Sequence, residues 1–284
     1  MIYEKRRSVI CLNNAEVDYV KQSVYCAKRI KQYLNLPVQL ITDAVDYIES
    51  AYPFYDRYID HITYSPAPSG SIKHFYDGIY AKKSLEWKNN IRDSAYDLSI
   101  FDCTIVMDTD LIVSNNKLLK CFDMQQDFMI AKNYSLVNQS KTYPQLDRIS
   151  DASIPMYWAT ILYFTKSEIA KRVFDLVGHI KENYNYYRLV YNISEKKFRN
   201  DFAFSIAVHM MRGFVEDSHW PMNIPSDMWV SIDKDILQDI KENKIKILAQ
   251  KDYDYVGVKL TDATTHIMNK FSLNSFIDKE FVNE

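Results

Sequence analysis

The chain has 284 residues, 47% hydrophobic and 25% charged, ordinary proportions for a globular protein whose core needs no disulfide or metal to fold. Lys and Arg number 35 against 37 Asp and Glu, and the net charge of -2 gives no global sign of a basic nucleic-acid binder. With five glycines and neither G-x-G-x-x-G nor G-x-x-x-x-G-K-[ST], a mechanism built on a glycine-rich phosphate loop is excluded.

Ser8 to Leu12 is short, apolar and β-prone, and it ends at the turn signal Asn13-Asn14. Val17, Val20, Val24, Ala27, Ile30 and Leu34 recur at spacings of three and four, the buried stripe of a helix. Pro37 closes the connection, and Val38 to Thr42 is a second strand. This strand–helix–strand order is a βαβ unit with parallel strands. Pro66, Pro68, Ser69 and Gly70 mark a loop, and Tyr80 to Asp93 reads as a helix. Cys103 to Met107 is a strand apolar enough to be buried on both faces. Phe128 to Ala131 and Trp158 to Phe164 are further strands. Ser167 to Asn183 is a helix with Ser167 as N-cap, and Phe202 to Met211 is another with Gly213 near its end. Ile245 to Leu248 and Tyr255 to Leu260 are strands ahead of a short polar tail. No repeat or linker divides the chain, which favours one domain over 1–284.

Cys11, Cys26, Cys103 and Cys121 lack the clustered spacing of a zinc site or disulfide scaffold and read as buried free thiols. Met1 to Arg7 is charged and unlike a secretory signal, and no apolar run is long enough to span a membrane. A reducing cytoplasm is the simplest expected compartment.

The informative segment is Phe101-Asp-Cys-Thr-Ile-Val-Met-Asp-Thr-Asp110. Two carboxylates end an apolar strand, and strand carboxyl ends open into the ligand crevice of a parallel sheet. Asp108 and Asp110 are two residues apart, so an extended chain points both to one side. Close carboxylates repel unless a cation lies between them, and oxygen ligation suits Mg²⁺ or Mn²⁺ carrying substrate phosphates. The alternative is an ordinary surface turn, where Asp is common.

Arg92, Ala95-Tyr96, Ser99-Ile-Phe-Asp102 and Asp108-Thr-Asp110 together resemble the GT-A glycosyltransferases, in particular the glycogenin-like and related nucleotide-diphospho-sugar transferases. The resemblance implies a GT-A type α/β fold, a Rossmann-like α/β/α sandwich with a mostly parallel central sheet. Residues 1–113 would be the nucleotide-sugar half and 114–284 the acceptor half. It implies a divalent metal, Mn²⁺ or Mg²⁺, on Asp108 and Asp110. His266 and Lys270 are similar to the family's late metal-binding His and phosphate-binding Lys, although H-x-x-G-x-x-K is not reproduced. Asp201 opens a helix, where it either complements the helix N-terminus or faces the transferred sugar as base or orienter. Arg199-Asn200-Asp201 and Ile154 to Thr160 resemble segments of glycosyltransferase-like proteins encoded by bacteriophages, which would place the chain in a host cytoplasm.

The expected donor is a nucleotide sugar, UDP-sugar favoured. Asn13 would meet its base or ribose, Arg92 its phosphates or hydroxyls unless it forms a surface ion pair, and Trp158 its sugar. Tyr184, Tyr186 and Tyr187 are further candidate ring faces. The acceptor would be a glycan or a modified base in DNA, with Lys196-Lys197 and Arg199 available to a phosphate backbone or simply solvated. The sequence chooses neither retention nor inversion. Two other readings stand: a haloacid-dehalogenase-like phosphatase, whose D-x-D loop lies on its first strand, and a non-catalytic sugar-nucleotide binder.

Overall fold

A computed structural model describes residues 7–11, 17–67, 70–88, 91–138, 147–151, 153–216 and 219–282, with side chains from residue 17 onward. Asn13 and the turn it belongs to lie outside the described residues.

The chain begins with β1 (Arg7–Cys11), α1 (Tyr19–Leu34), β2 (Val38–Thr42), α2 (Val45–Ala51) and β3 (His61–Tyr64). β1, β2 and β3 pair in parallel, so the expected βαβ start is present. α1 forms because its caps are explicit as well as its stripe. The Asp18 carboxylate accepts from the Lys21 N–H (2.8 Å) and from the hydroxyls of Tyr47 (2.8 Å) and Tyr52 (2.5 Å). At the other end Asn35 turns left-handed (φ 48°) and its N–H returns to the Ile30 carbonyl, 3.1 Å away. Asp18→Ala is expected to cost roughly 1–2 kcal/mol, readable in urea unfolding, because cap and tyrosine anchor go together.

A hairpin follows, β4 (Ser71–Asp77) and β5 (Ala81–Trp87). It replaces the helix expected over Tyr80 to Asp93. Ala, Lys, Leu and Glu favour a helix locally, but Asp77-Gly78 makes a tight turn with Gly78 at φ 70° and pairs Asp77 with Ala81. A Cβ at Gly78 would stand 2.8 Å from the Tyr255 hydroxyl, which itself accepts the Ile79 N–H at 3.0 Å.

α3 (Ala95–Leu98), β6 (Cys103–Met107), β7 (Leu111–Ile112), β8 (Phe128–Ala131), β9 (Ser135–Leu136) and β10 (Trp158–Thr165) complete the middle of the chain. Then come α4 (Glu168–Glu182), α5 (Tyr184–Val190), α6 (Asn200–Met211), β11 (Met222–Asn223) and β12 (Met228–Val230). Ser167 caps α4 as expected, its hydroxyl accepting from the Ala170 N–H at 3.2 Å. The antiparallel meander β13 (Ile236–Lys241), β14 (Lys244–Lys251) and β15 (Asp254–Thr261) leads to β16 (Thr264–His266) and α7 (Lys270–Phe281).

The main sheet has seven strands in the order β11-β8-β10-β6-β1-β2-β3, and only β10 runs antiparallel to its neighbours. The fold is thus mixed α/β with a mostly parallel central sheet, as expected. Its helices pack in two groups, α1 with α7 and α4 with α5 and α6. The expected polar tail is instead a helix. Leu273, Phe276 and Ile277 of α7 are buried, and its Asn274 accepts from Gln22 of α1 at 2.8 Å. Cys26, Cys103 and Cys121 are buried free thiols; the Cys11 side chain is outside the described set. Among the described residues no helix is long and apolar enough to cross a membrane.

Candidate active site

β6 is buried along its whole length between β1 and β10, so the residues that follow it emerge inside a crevice. The Asp108 N–H donates to the Thr160 carbonyl of β10 (3.0 Å), and the Leu111 N–H turns back to the Asp108 carbonyl (3.3 Å). A tight turn, rather than an extended chain, therefore brings Asp108 and Asp110 to one side. β7 then pairs with β16 so that Leu111 faces His266, and β12 pairs with β16 so that Val230 faces it too. The Ile267 N–H donates to the Asp110 carbonyl and the Ser231 N–H to the His266 carbonyl, both at 3.0 Å. His266 is fixed on both sides beside a residue 156 positions earlier in the chain.

His266 Nε2 lies 3.1 Å from Asp110 Oδ2 and 3.8 Å from Asp108 Oδ2. One ligand atom from each of the three residues lies within 4.8 Å of the other two. Two buried cations balance the carboxylates: Arg92 pairs with Asp108 and also donates to the Ala159 carbonyl, and Lys270 pairs with Asp110. Arg92 lies in a 3₁₀ turn, Arg92–Ser94, and its ion pair is an interior one, not the surface pair weighed from sequence. Burial raises the Asp108 carboxyl, but Arg92, His266 and Lys270 outweigh it and hold it below the usual carboxylate range. Burial also lowers His266 beneath its usual value, beyond what Asp108 and Asp201 restore.

Two carboxylates and a neutral imidazole, all held in place, suit a divalent cation of the Mn²⁺ or Mg²⁺ kind. His266 Nδ1 is buried without a hydrogen-bond partner, and Nε2 is the ring nitrogen that faces the Asp110 carboxylate. Metal ligation needs the unprotonated ring, and this ring gains its proton only below its ordinary value of 6.5. Mn²⁺ affinity, measured by calorimetry, is therefore expected to fall as the pH drops below 6.5.

The cluster opens into a cavity of about 490 Å³ that Trp158 and Asp201 also line. Arg92, Asp108, Asp110, Trp158, Asp201, His266 and Lys270, separate in sequence, thus share one space. Trp158 is buried at a bulge in β10, and its Nε1–H has no partner. Asp201 opens α6; its Oδ1 accepts from the Ala159 N–H at 3.0 Å and its Oδ2 from Arg199 at 2.9 Å. Tyr184, Tyr186 and Tyr187 do not reach the cavity: the Tyr184 hydroxyl donates to the Glu195 carbonyl at 3.1 Å, and Tyr186 is exposed on α5.

Sequence reasoning missed the hairpin residues Lys73, His74 and Trp87, which cover the cavity, and Asp233 in the loop after β12. Burial pushes the Asp233 carboxyl up, more than Lys234 and Lys73 lower it. The Asp77-Gly78 turn signal would have revealed the hairpin. No local signal marks Asp233.

No family model matches this sequence, and no curated protein matches it. Among solved structures the chain is similar to several glycosyltransferases. One is GlyE of Streptococcus pneumoniae TIGR4, 12% identical over 73% of this chain and 43% of that one, with a TM-score of 0.42. Another is the galactosyltransferase LgtC in complex with donor and acceptor sugar analogues, 10% identical over 70% of each chain, TM-score 0.43. A third is the mannosyltransferase PcManGT from Pyrobaculum calidifontis in complex with GDP-Man and Mn²⁺, 13% identical over 74% of this chain and 52% of that one, TM-score 0.38. The chain spans less than half of the GlyE chain's length. With TM-scores below 0.5, none of these likenesses fixes an activity.

Proposed function

We propose that this chain is a metal-dependent glycosyltransferase that moves a sugar from a nucleotide-diphosphate sugar, UDP-sugar favoured, to an acceptor hydroxyl. The observation that carries this reading is the convergence of Asp108, Asp110 and His266, with Arg92 and Lys270, on a single cavity. Mn²⁺ or Mg²⁺ held by Asp108, Asp110 and His266 would supply a Lewis acid that neutralises the departing diphosphate. Arg92 adds a fixed positive fork beside the same oxygens, and Lys270, which burial lowers to about 7, adds a point charge when protonated. Trp158 lines the same cavity and is available to pack against the donor sugar. Asp201 has both oxygens engaged by protein donors, so it serves as a rigid acceptor that orients sugar hydroxyls rather than as a base. The hairpin bearing Lys73 and Trp87 limits water at the reacting carbon.

The phosphatase reading needs its D-x-D loop on the first strand, and here Asp108 and Asp110 follow β6. A non-catalytic binder would keep the pocket without turnover. Thermal unfolding against a panel of nucleotide sugars, with and without Mn²⁺, tests the proposal. At a ligand concentration of about 100 Kd, stabilisation of roughly 2.7 kcal/mol is expected for the true donor, and only with metal present. Release of free nucleoside diphosphate on adding acceptor separates transfer from binding. No metal-dependent shift with any donor overturns the reading.

A further inference from the structure

α5 is apolar on two sides. Tyr184 at its start and Tyr191 just past its end are buried, and the Tyr184 ring meets Phe198 edge-on at 5.5 Å. Tyr186, Leu189 and Val190 share another helix face by their spacing, and each is more than half exposed. A surface helix ordinarily turns polar residues outward, and one that is apolar all round is matched to an apolar medium.

A second apolar projection adjoins it. α6 ends with the Phe214 N–H donating to the His209 carbonyl (2.9 Å) and the Gly213 N–H to the Met210 carbonyl (3.0 Å), a Schellman arrangement. Gly213 and Phe214 both lie in the left-handed region, at φ 68° and 66°. That region suits glycine, and a bulky side chain held there is an outlier that the surrounding structure must sustain. The Phe214 ring meets His209 edge-on at 5.7 Å yet is 64% exposed, and Val215 beside it is exposed as well. The Tyr191 hydroxyl lies 3.0 Å from His209 Nδ1, so one histidine joins the end of α5 to Phe214. Exposed apolar side chains are ordinarily scattered singly; here five gather on two adjoining segments.

Charge selects the occupant. Between α5 and the first cavity the chain carries Arg188, Lys196 and Lys197 against a single acid, Glu195, although its net charge is -2. None of these three cations forms a side-chain ion pair among the described residues. Glu216, next to Val215, is paired with Arg148 at 3.3 Å. A symmetric contact with a second copy would set like charges together. A surface of anionic lipid satisfies both parts of the face. Aliphatic and aromatic tips enter the boundary between headgroups and acyl chains, and the cations meet headgroup charge. Lys197 also lines the first cavity, so the face borders it.

We infer that Tyr186, Leu189, Val190, Phe214 and Val215, with Arg188, Lys196 and Lys197, seat the chain on the surface of an anionic lipid bilayer.

Co-sedimentation of the full chain with vesicles of phosphatidylcholine, alone or mixed with phosphatidylserine, tests this. Binding is expected to the mixed vesicles, to be weak on the neutral ones, and to fall with added salt. Phe214→Asn suits the left-handed turn and should keep a urea midpoint near that of wild type, while its partition onto vesicles falls roughly tenfold. Leu189→Gln should act in the same direction. Lys196→Gln is expected to lower the partition roughly fivefold. Tyr253→Ser, at an exposed site on the β14–β15 turn, should leave it unchanged. The inference is overturned if wild type does not bind mixed vesicles, if neutral vesicles bind equally well, or if Phe214→Asn and Leu189→Gln bind as tightly as wild type. It is also overturned if Tyr253→Ser weakens binding as much, or if sedimentation velocity shows a dimer that Leu189→Gln dissociates, which would assign the face to a second copy. Every one of these readouts is taken without donor or metal, so the lipid face and the glycosyltransferase reading fail separately.

Discussion

Asp110→Asn is expected to abolish Mn²⁺-dependent donor binding and to lower kcat by roughly a thousandfold, about 4 kcal/mol of transition-state stabilisation. The side chain is buried, its Oδ2 meets both His266 and Lys270, and the amide presents one neutral oxygen where the carboxylate presented a charge. The substitution nearly preserves volume, so the loss reads the charge. It also leaves the buried Lys270 ammonium without its partner, and breaking such a pair typically costs about 3–5 kcal/mol. The double variant Asp110→Asn with Lys270→Met separates the two effects: stability should largely return while metal binding stays absent. Full donor affinity in the single variant would show that the metal is held elsewhere. Calorimetry with Mn²⁺, followed by initial rates on whichever donor the panel identifies, provides both measurements.

Phe204→Ala is expected to remove about 3–5 kcal/mol of stability, the range for truncating a fully buried aromatic. Phe204 lies in α6 between the rings of Phe128, stacked at 6.2 Å, and Phe174, edge-on at 5.5 Å. It ties the helix that begins with Asn200 and Asp201 to β8 and α4. A chain that stays folded with this substitution should show a lower urea midpoint with an unchanged slope. Activity of the folded fraction should fall as well, because α6 sets the position of Asp201. Near-wild-type stability would mean that neighbouring rings collapse into the space.

What the sequence made legible follows from how local each signal is. Val17 to Leu34 states its helix outright, because every turn repeats the apolar stripe. Cys103 to Met107 has one consistent reading, since a run with Thr104 as its one polar residue fits a strand covered on both faces. Asp108 and Asp110 were visible because the chemistry of paired carboxylates needs no knowledge of distant residues. His266 and Lys270 rested on resemblance, and what places them at the site is the pairing of β7 with β16, a contact no local pattern encodes. The β4–β5 hairpin was hidden by residues whose intrinsic preference is helical. There cross-strand partners prevail, including Lys73 over the Trp87 ring at 5.4 Å. α7 was hidden for the opposite reason: its buried face includes Ser272 and Asn274, polar residues that hydrogen bonds satisfy inside the core.

The long sequence interval between Asp110 and His266 affects when during synthesis the candidate metal site can first be complete. At about 5–20 residues per second, the 156 positions between them take the ribosome roughly 8–30 s. Through that interval the two carboxylates exist with Arg92 beside them but without the imidazole or Lys270. A nascent chain stalled before residue 264 should therefore bind manganese weakly, and ordering of the centre should follow the addition of β16 rather than the earlier completion of the parallel strands.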